Sequence, residues 1–107
     1  MARIMSYGIK HGPPPQCYNV ISARKLPNPY SYPPLQSLDG RDAAVQEYVF
    51  QDPSADKVVE DAARFLRMGE NIAIGCVGGR HRSVAVVERV RALFDASADI
   101  HVIHRDL

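Results

Sequence analysis

One stretch of the chain concentrates residues that bind anions. Residues 75–83 combine a glycine-rich turn with three basic side chains and a serine. Glycines let backbone N–H groups crowd around a small oxyanion, and the N–H groups at a helix N-terminus carry partial positive charge. Arginine adds paired donors that can meet two phosphate oxygens. The stretch therefore predicts a phosphate site, and its candidate ligand-binding residues are Gly78, Gly79, Arg80, His81, Arg82 and Ser83.

The same glycines also have a simpler interpretation, in which they only allow a tight turn and the basic side chains are solvated. We favour the phosphate site because the basic residues and the serine converge on a predicted helix start. Neither Gly-x4-Gly-Lys-Ser/Thr nor Gly-x-Gly-x-x-Gly occurs, so the sequence does not support a nucleotide-triphosphate loop or a dinucleotide cofactor. Cys17 and Cys76 lack the partners of a zinc site, so we expect two free thiols, no metal and no cofactor.

Cys76 begins a second pattern. Five residues separate it from Arg82, and Ser83 follows, which is the spacing of cysteine-dependent phosphatases. In those enzymes a thiolate attacks phosphorus while the loop N–H groups and the arginine hold the phosphate. Gly79 also falls where that pattern has glycine, whereas Gly75 stands where a histidine commonly precedes the cysteine. A phosphatase with Cys76 as nucleophile and Arg82 as phosphate clamp is therefore the alternative to a non-catalytic binding domain.

The phosphatase alternative also needs a general acid, and the sequence does not identify one. Asp39 and Asp42 lie upstream of the cysteine and are the candidates. Asp42 also precedes a predicted helix, where its side chain would serve as an N-cap. We expect the capping role for Asp42, and the question of enzyme or non-enzyme stays open at this point.

Predicted strands and helices alternate along the chain. Strands are predicted at residues 3–10, 18–23, 71–77 and 100–103. Helices are predicted to start at Asp42, at Asp52-Pro53 and at His81, with Gly69 ending the second and Phe94 the third. This alternation predicts a small α/β fold, a single domain over residues 1–107, with a mostly parallel sheet flanked by helices. Residues 75–83 would then lie at the carboxyl end of a strand, where such folds bind ligands.

A long Pro-rich loop is predicted at residues 24–40. It contains Tyr30 and Tyr32 among four prolines. Loops of this length in small domains are usually binding loops or disordered linkers, and the stiff prolines favour an ordered loop. We expect the two tyrosines to anchor the loop to the core, with stacking on a sugar or a base as the alternative.

Composition and charge exclude several classes of partner. The chain has 107 residues and a formal net charge of +1, so no partner is captured by bulk charge alone. No apolar run approaches the roughly 20 residues that span a bilayer, and we expect a cytoplasmic protein with no membrane partner. Four helical arginines are expected to be solvated, with an RNA-contacting face as the alternative: Arg64, Arg67, Arg89 and Arg91.

Four blocks of the sequence resemble the C-terminal domain of the RapZ family of RNase adapter proteins. These blocks are SYGIKHG at residues 6–12, RKLPNP at 24–29, GCVGGRHRS at 75–83 and HRDL at 104–107. They occur in the family's order and cover nearly the whole chain. The resemblance implies an α/β domain that binds a phosphosugar, glucosamine 6-phosphate, in a pocket formed by these loops.

The resemblance also implies site residues and partners. The phosphosugar would be bound by Cys76, Gly78, Gly79, His81 and Arg82, with Lys10, His11, Arg24 and Asn28 approaching from neighbouring loops. Family members bind small RNAs, present them to an endoribonuclease and so regulate amino-sugar synthesis. The implied partners are therefore an amino-sugar phosphate, RNA and an RNase, and the sequence leaves open whether a second copy of the chain is also a partner.

The chain differs from the family pattern in several places. Met1 precedes the first block by only a few residues, so we expect the N-terminal nucleotide-binding half to be absent, and the chain also lacks a basic tail. Gln16, Tyr18 and Ser22 stand where the family tends to have acidic residues, and Val77 replaces a frequent threonine. The resemblance therefore predicts the phosphate site rather than the identity of the sugar.

Overall fold

The computed structural model describes residues 1–107 and contains one four-stranded sheet. The strands are β1 (Ala2–Gly8), β2 (Asn19–Ser22), β3 (Ile72–Cys76) and β4 (Ile100–His104). Their order in the sheet is β2-β3-β1-β4, and every neighbouring pair is parallel. The predicted α/β fold is confirmed, and the sheet is entirely parallel.

The middle of the sheet leads into the glycine-rich stretch at residues 75–83. All five residues of β3 are buried, as expected for a short apolar strand that is covered on both faces. β1 is its neighbour, and Gly8 lies opposite Cys76 at the carboxyl ends of the two strands. The residues that follow β1 and β3 therefore emerge side by side at one edge of the sheet.

Three helices cover the sheet: α1 (Ala43–Phe50), α2 (Ser54–Arg67) and α3 (Arg82–Ala92). The predicted apolar face of α2 is largely buried, and the helix ends where the sequence indicates. Gly69 has a φ of +78°. The N–H groups of Gly69 and Glu70 donate to the carbonyl oxygens of Leu66 and Phe65, both at 3.0 Å, which is a Schellman motif.

Element ends differ from the predicted boundaries. β1 stops at Gly8, because Ile9–His11 turn into a short 3-10 helix. α3 ends at Ala92, and Leu93 is 51% exposed although the predicted pattern placed it on the packed side. Asp42 occupies the N-cap position of α1 without capping it, since its carboxylate accepts from the Asp39 N–H at 2.8 Å instead.

The Pro-rich segment is folded into two short 3-10 turns, Pro29–Ser31 and Pro33–Leu35. Pro29 and Leu35 are buried and attach the segment to the rest of the molecule. Tyr32 stacks on Tyr48, with ring centroids 5.9 Å apart. Tyr30 does not anchor the segment, because 61% of its surface is exposed. None of the helices is long and apolar enough to cross a membrane.

Candidate phosphate site

The loop between β3 and α3 packs directly against the end of β1. A Cβ added to Gly79 would lie 2.6 Å from the Gly8 nitrogen, and Gly79 has a φ of +76°, so only glycine fits there. The Lys10 N–H donates to the Val77 carbonyl oxygen at 3.1 Å. These backbone contacts determine the shape of the loop and place Lys10 beside it, where its Cε is 4.0 Å from a Cβ added to Gly78.

The loop contains backbone donors that the chain itself does not use. The N–H groups of Gly78, Arg80 and His81 donate to no acceptor within the protein. The carbonyl groups on the same segment point elsewhere, since the Arg80 oxygen accepts from the Gly40 N–H at 2.8 Å. Free N–H groups at the start of a helix bring partial positive charge to one place. This arrangement is suited to a small oxyanion.

Cys76 lies beneath the loop. Its Sγ accepts hydrogen bonds from the N–H groups of Gly79, at 3.3 Å, and of Ser83, at 3.4 Å. The Ser83 hydroxyl is 3.2 Å from the same sulfur. Cys76 and Ser83 are both buried, so the serine positions the thiol and is not among the residues that line the cavity above it. Both cysteines of the chain are free.

A cavity of about 240 Å³ opens above the loop. It brings together most of the predicted site residues from three separate parts of the chain, and also includes Tyr30 and Val77. Tyr30 is exposed at the cavity rather than anchored in the core, so the expected anchoring role is wrong for this tyrosine. The residues that line the cavity are Lys10, His11, Asn28, Tyr30, Cys76, Val77, Gly78, Gly79, Arg80, His81 and Arg82.

Asn28 positions the aromatic side of the cavity. Its Oδ1 accepts from the Tyr30 N–H at 3.2 Å, which caps the first 3-10 turn of the Pro-rich segment. The Gln36 side chain donates to the Tyr30 carbonyl oxygen at 2.8 Å. Tyr30 is thus held at the rim by its backbone while its ring stays exposed.

Arg82 is the most informative charge in the site. Its side chain is buried, with only 7% of the residue exposed, and no carboxylate pairs with it. Its guanidinium donates to the Arg24 carbonyl oxygen. A buried charge without a counterion is costly, and an anion in the cavity would offset that cost. Arg24 itself contributes through its backbone, because its side chain lines a separate depression with Lys25 and Ser54.

The ionisable side chains of the cavity lining are basic, apart from Tyr30 and Cys76. They are Lys10, Arg80, Arg82 and the two histidines, His11 and His81, and the lining contains no Asp or Glu. The His81 Nε2 is buried and has no hydrogen-bond partner. The Asp39 and Asp42 side chains lie outside the lining, so neither predicted general acid is in the cavity. No group of three or more His, Cys, Asp and Glu side chains is arranged to hold a metal ion.

Asp39 has a structural role near the site. It pairs with Arg41 at 2.8 Å. The hydrogen bonds from Arg41 hold the pKa of Asp39 below its usual value, and the charge of Arg80 adds to this effect. A carboxyl that stays ionised and is paired in this way is poorly suited to donate a proton.

Asp106, in the last of the four sequence blocks, binds the end of β1, against which the loop after β3 packs. Its Oδ2 accepts from the Gly8 N–H at 2.7 Å and pairs with Arg105 at 3.0 Å. Burial alone would raise the pKa of Asp106, but the hydrogen bonds from Gly8 and Arg105 and the nearby charge lower it on balance. The HRDL block was recognisable as part of the family resemblance, yet its contact with Gly8 could not be read from the sequence.

We expect this carboxylate to make folding stability dependent on pH. A depressed pKa in the folded state contributes stability that is present above the unfolded value and is lost as the pH falls below about 4. Asp106→Asn keeps an acceptor for Gly8 but removes the charge. The difference in unfolding free energy between the wild type and this variant should therefore be constant from about pH 7 to pH 5 and shrink in acid.

Urea unfolding at a series of pH values measures that difference. Asp99→Asn is the matched control, because the Asp99 side chain is 78% exposed and touches only the N-terminal amine, at 3.6 Å. A difference for Asp106→Asn that persists unchanged at about pH 2.5 would contradict the assignment.

The helical arginines lie among acidic and aromatic side chains. Arg64, Arg67 and Arg89 line a shallow depression on α2 and α3 together with Asp56 and Glu60. Arg67 and Arg89 lie over aromatic rings, those of Phe94 and Phe50. Arg91 donates to three carbonyl oxygens just beyond the end of α3, those of Phe94, Asp95 and Ala96. Arg64 and Arg67 are exposed, as expected, whereas Arg89 and Arg91 are half-buried.

Comparison with known proteins links this site to a family. The RapZ C-terminal domain family matches residues 1–107. The chain is 37% identical to a protein of Thermus thermophilus over an alignment of 117 residues, gaps included. It is also 37% identical to a protein of Thermobifida fusca, over an alignment of 118 residues. It is 41% identical over 117 residues to a protein of Clavibacter sepedonicus.

All three relatives carry the name nucleotide-binding protein. The matches cover 97 to 100% of this chain but only 40 to 43% of the relatives, so the chain spans less than half of their length.

Proposed function

Because the chain belongs to the RapZ C-terminal domain family, we propose that residues 1–107 act as one regulatory domain that binds a phosphorylated sugar in the basic cavity. The observation that carries this proposal is Arg82, a buried cation without a counterion beside the free N–H groups of the loop. A phosphate dianion would neutralise the guanidinium and accept from Gly78, Arg80 and His81 at the same time.

The dimensions of the cavity support a small ligand. At about 240 Å³ it lies below the range of roughly 300–1,000 Å³ that is typical of small-molecule pockets. Tyr30 offers an exposed aromatic ring at the rim, where the face of a sugar can pack. A phosphorylated hexose suits this combination of phosphate loop and aromatic rim. Glucosamine 6-phosphate is the ligand that the family resemblance implies.

The regulatory part of the proposal rests on family membership. We infer that occupancy of the cavity is passed to a partner, so that the domain acts as a sensor or adaptor. Small RNA and an RNase are the partners that the resemblance implies. The relatives' name refers to nucleotides, and the chain spans less than half of those proteins.

Calorimetric titration with glucosamine 6-phosphate, glucosamine and inorganic phosphate tests the binding proposal. We expect saturable binding of the phosphosugar, weaker binding of phosphate and none of glucosamine. Binding of glucosamine as tight as that of its phosphate would contradict a phosphate-centred site. Binding of none of the three would remove the proposal.

A cysteine-dependent phosphatase is the second candidate. It is favoured by one observation, the contacts of the Cys76 sulfur with the Gly79 N–H and with the N–H and hydroxyl of Ser83. The two N–H groups donate to the sulfur, and such donors would stabilise a thiolate, the form that attacks phosphorus in this chemistry. The cavity contains no carboxylic acid to protonate a sugar alkoxide, which argues against turnover.

Phosphate release separates the two candidates. The sensor proposal expects glucosamine 6-phosphate to be recovered intact after prolonged incubation with the protein. Catalytic release of phosphate that disappears in Cys76→Ser would instead establish the phosphatase.

A further inference from the structure

Arg105, in the HRDL block near the end of the chain, holds the turn at residues 9–13 by its carbonyl oxygens. Its Nη1 donates to the Pro13 carbonyl oxygen at 2.7 Å, and its Nη2 donates to the Gly12 carbonyl oxygen at 3.3 Å. The planar guanidinium can serve both oxygens at once because its N–H donors form a rigid fork. This contact joins the turn that follows β1 to the residues that follow β4.

The turn at residues 9–13 carries Lys10 and His11, which both line the cavity. Its own hydrogen bonding is weak, because the Gly12 N–H donates to the Ile9 carbonyl oxygen at 3.4 Å, beyond the usual range for such bonds. The three residues after Gly12 are prolines, which have no N–H to donate. The positions of the two lining side chains therefore depend on contacts from outside the turn.

Arg105 is itself held in place by two neighbours. Its guanidinium carbon lies 5.1 Å from the centroid of the Tyr7 ring, an arrangement in which cation and ring attract each other. Tyr7 is buried, and its ring lies against β3, since a Cβ added to Gly75 would be 2.6 Å from the Tyr7 Cζ. On its other side Arg105 pairs with Asp106 at 3.0 Å. A guanidinium restricted in this way is a firm support for the turn that it contacts.

We propose that Arg105 is a positioning residue for ligand binding, which keeps Lys10 and His11 at the cavity by holding the carbonyl oxygens of Gly12 and Pro13. Arg105 does not line the cavity, so its effect on the ligand passes through the turn. This inference rests on the proposed phosphate site. It adds to that site a residue outside the cavity on which the affinity depends.

Calorimetric titration of Arg105→Met with glucosamine 6-phosphate tests the proposal. We expect roughly fivefold weaker binding than in the wild type, which is the size of the contribution from partly exposed charged contacts such as those of Lys10 and His11. Arg105→Lys keeps the positive charge but loses the planar fork, so it should bind as weakly as Arg105→Met. Full affinity in Arg105→Lys would show that the charge alone matters and would overturn the positioning role.

Arg91→Met is the matched control for a purely structural effect. Arg91 also holds a loop by its carbonyl oxygens, but it does so at the end of α3 that is remote from the phosphate loop, and it does not line the cavity. The oxygens that it binds are those of Phe94, Asp95 and Ala96. Urea unfolding should show that both arginine substitutions lower stability, whereas only Arg105→Met should lower affinity. Equal losses of affinity in the two variants would contradict a specific role for Arg105.

A mutant cycle shows whether Arg105 acts through the turn. In a background of Lys10→Met and His11→Gln, Arg105→Met should cause no further loss of affinity, because the side chains that it positions are already replaced. An undiminished loss in this background would disprove the inference. Wild-type affinity in the background itself would also disprove it, and in both cases the phosphate site stands. If the wild type binds no phosphorylated sugar, the phosphate site fails and this inference fails with it.

Discussion

Arg82→Met is expected to weaken binding of any phosphorylated ligand by roughly 100-fold or more, because a buried ion pair that loses one partner typically costs about 3–5 kcal/mol. Arg82 is the one lining arginine that is buried, and it lines the cavity without a carboxylate partner. Methionine has a similar length and fills much of the same space, so the packing around the side chain is largely kept. Calorimetric titration with glucosamine 6-phosphate measures the change.

The folding stability of the same variant provides an independent check. Without ligand, Arg82 is an uncompensated buried charge, and its removal relieves that cost while leaving the Arg24 carbonyl oxygen without its donor. These effects oppose each other, so the free energy of unfolding should change by no more than about 1 kcal/mol. Arg64→Met, at an arginine that is 70% exposed on α2, should alter neither binding nor stability. Unchanged affinity in Arg82→Met would refute the role of this residue.

Gly79→Ala is expected to destabilise the protein by about 3 kcal/mol or more, and Gly69→Ala by about 1 kcal/mol. The two glycines have nearly the same backbone conformation, with φ values of +76° and +78°. They differ in their surroundings, because a Cβ at Gly79 would lie 2.6 Å from the Gly8 nitrogen whereas one at Gly69 would meet nothing within 4 Å. Gly69→Ala thus isolates the conformational cost, and Gly79→Ala adds a backbone collision.

Urea unfolding of both variants measures the two costs. A larger loss at Gly79 shows that contact between the loop and β1 holds the loop in shape. Because the same contact shapes the phosphate loop, Gly79→Ala should also lose affinity while Gly69→Ala retains it. Equal losses of stability at the two positions would mean that the loop does not need its close approach to Gly8.

The sequence predicted the parts of the fold that depend on local patterns. The apolar run of β3, the face of α2 and its end at Gly69 follow from hydrophobic spacing and glycine conformation. Local patterns do not reveal where long-range contacts end an element. β1 stops at Gly8 because its next residues turn beside the loop after β3, and Leu93 is exposed because α3 ends one residue before it.

In the candidate site, too, the sequence predicted the features that depend on local patterns and not those that depend on long-range contacts. The types and spacing of residues 75–83 predicted a phosphate site in the loop after β3, and the cavity brings Lys10, His11 and Asn28 to this loop. The sequence could not show that Ser83 faces the sulfur below the cavity or that Asp106 holds the Gly8 N–H. Those contacts join residues far apart in the chain, so no local pattern marks them. The absence of carboxylates from the lining also became apparent only when the loops were assembled.

A two-dimensional ¹H–¹⁵N spectrum of the labelled protein during titration with glucosamine 6-phosphate would locate the bound phosphate. We expect the largest shifts at the backbone N–H groups of Gly78, Arg80 and His81, which donate to no protein acceptor. The same shifts should be lost in Arg82→Met. Shifts centred instead on the α2–α3 face around Arg64 and Arg67, or no shifts at saturating ligand, would contradict a phosphate site in this loop.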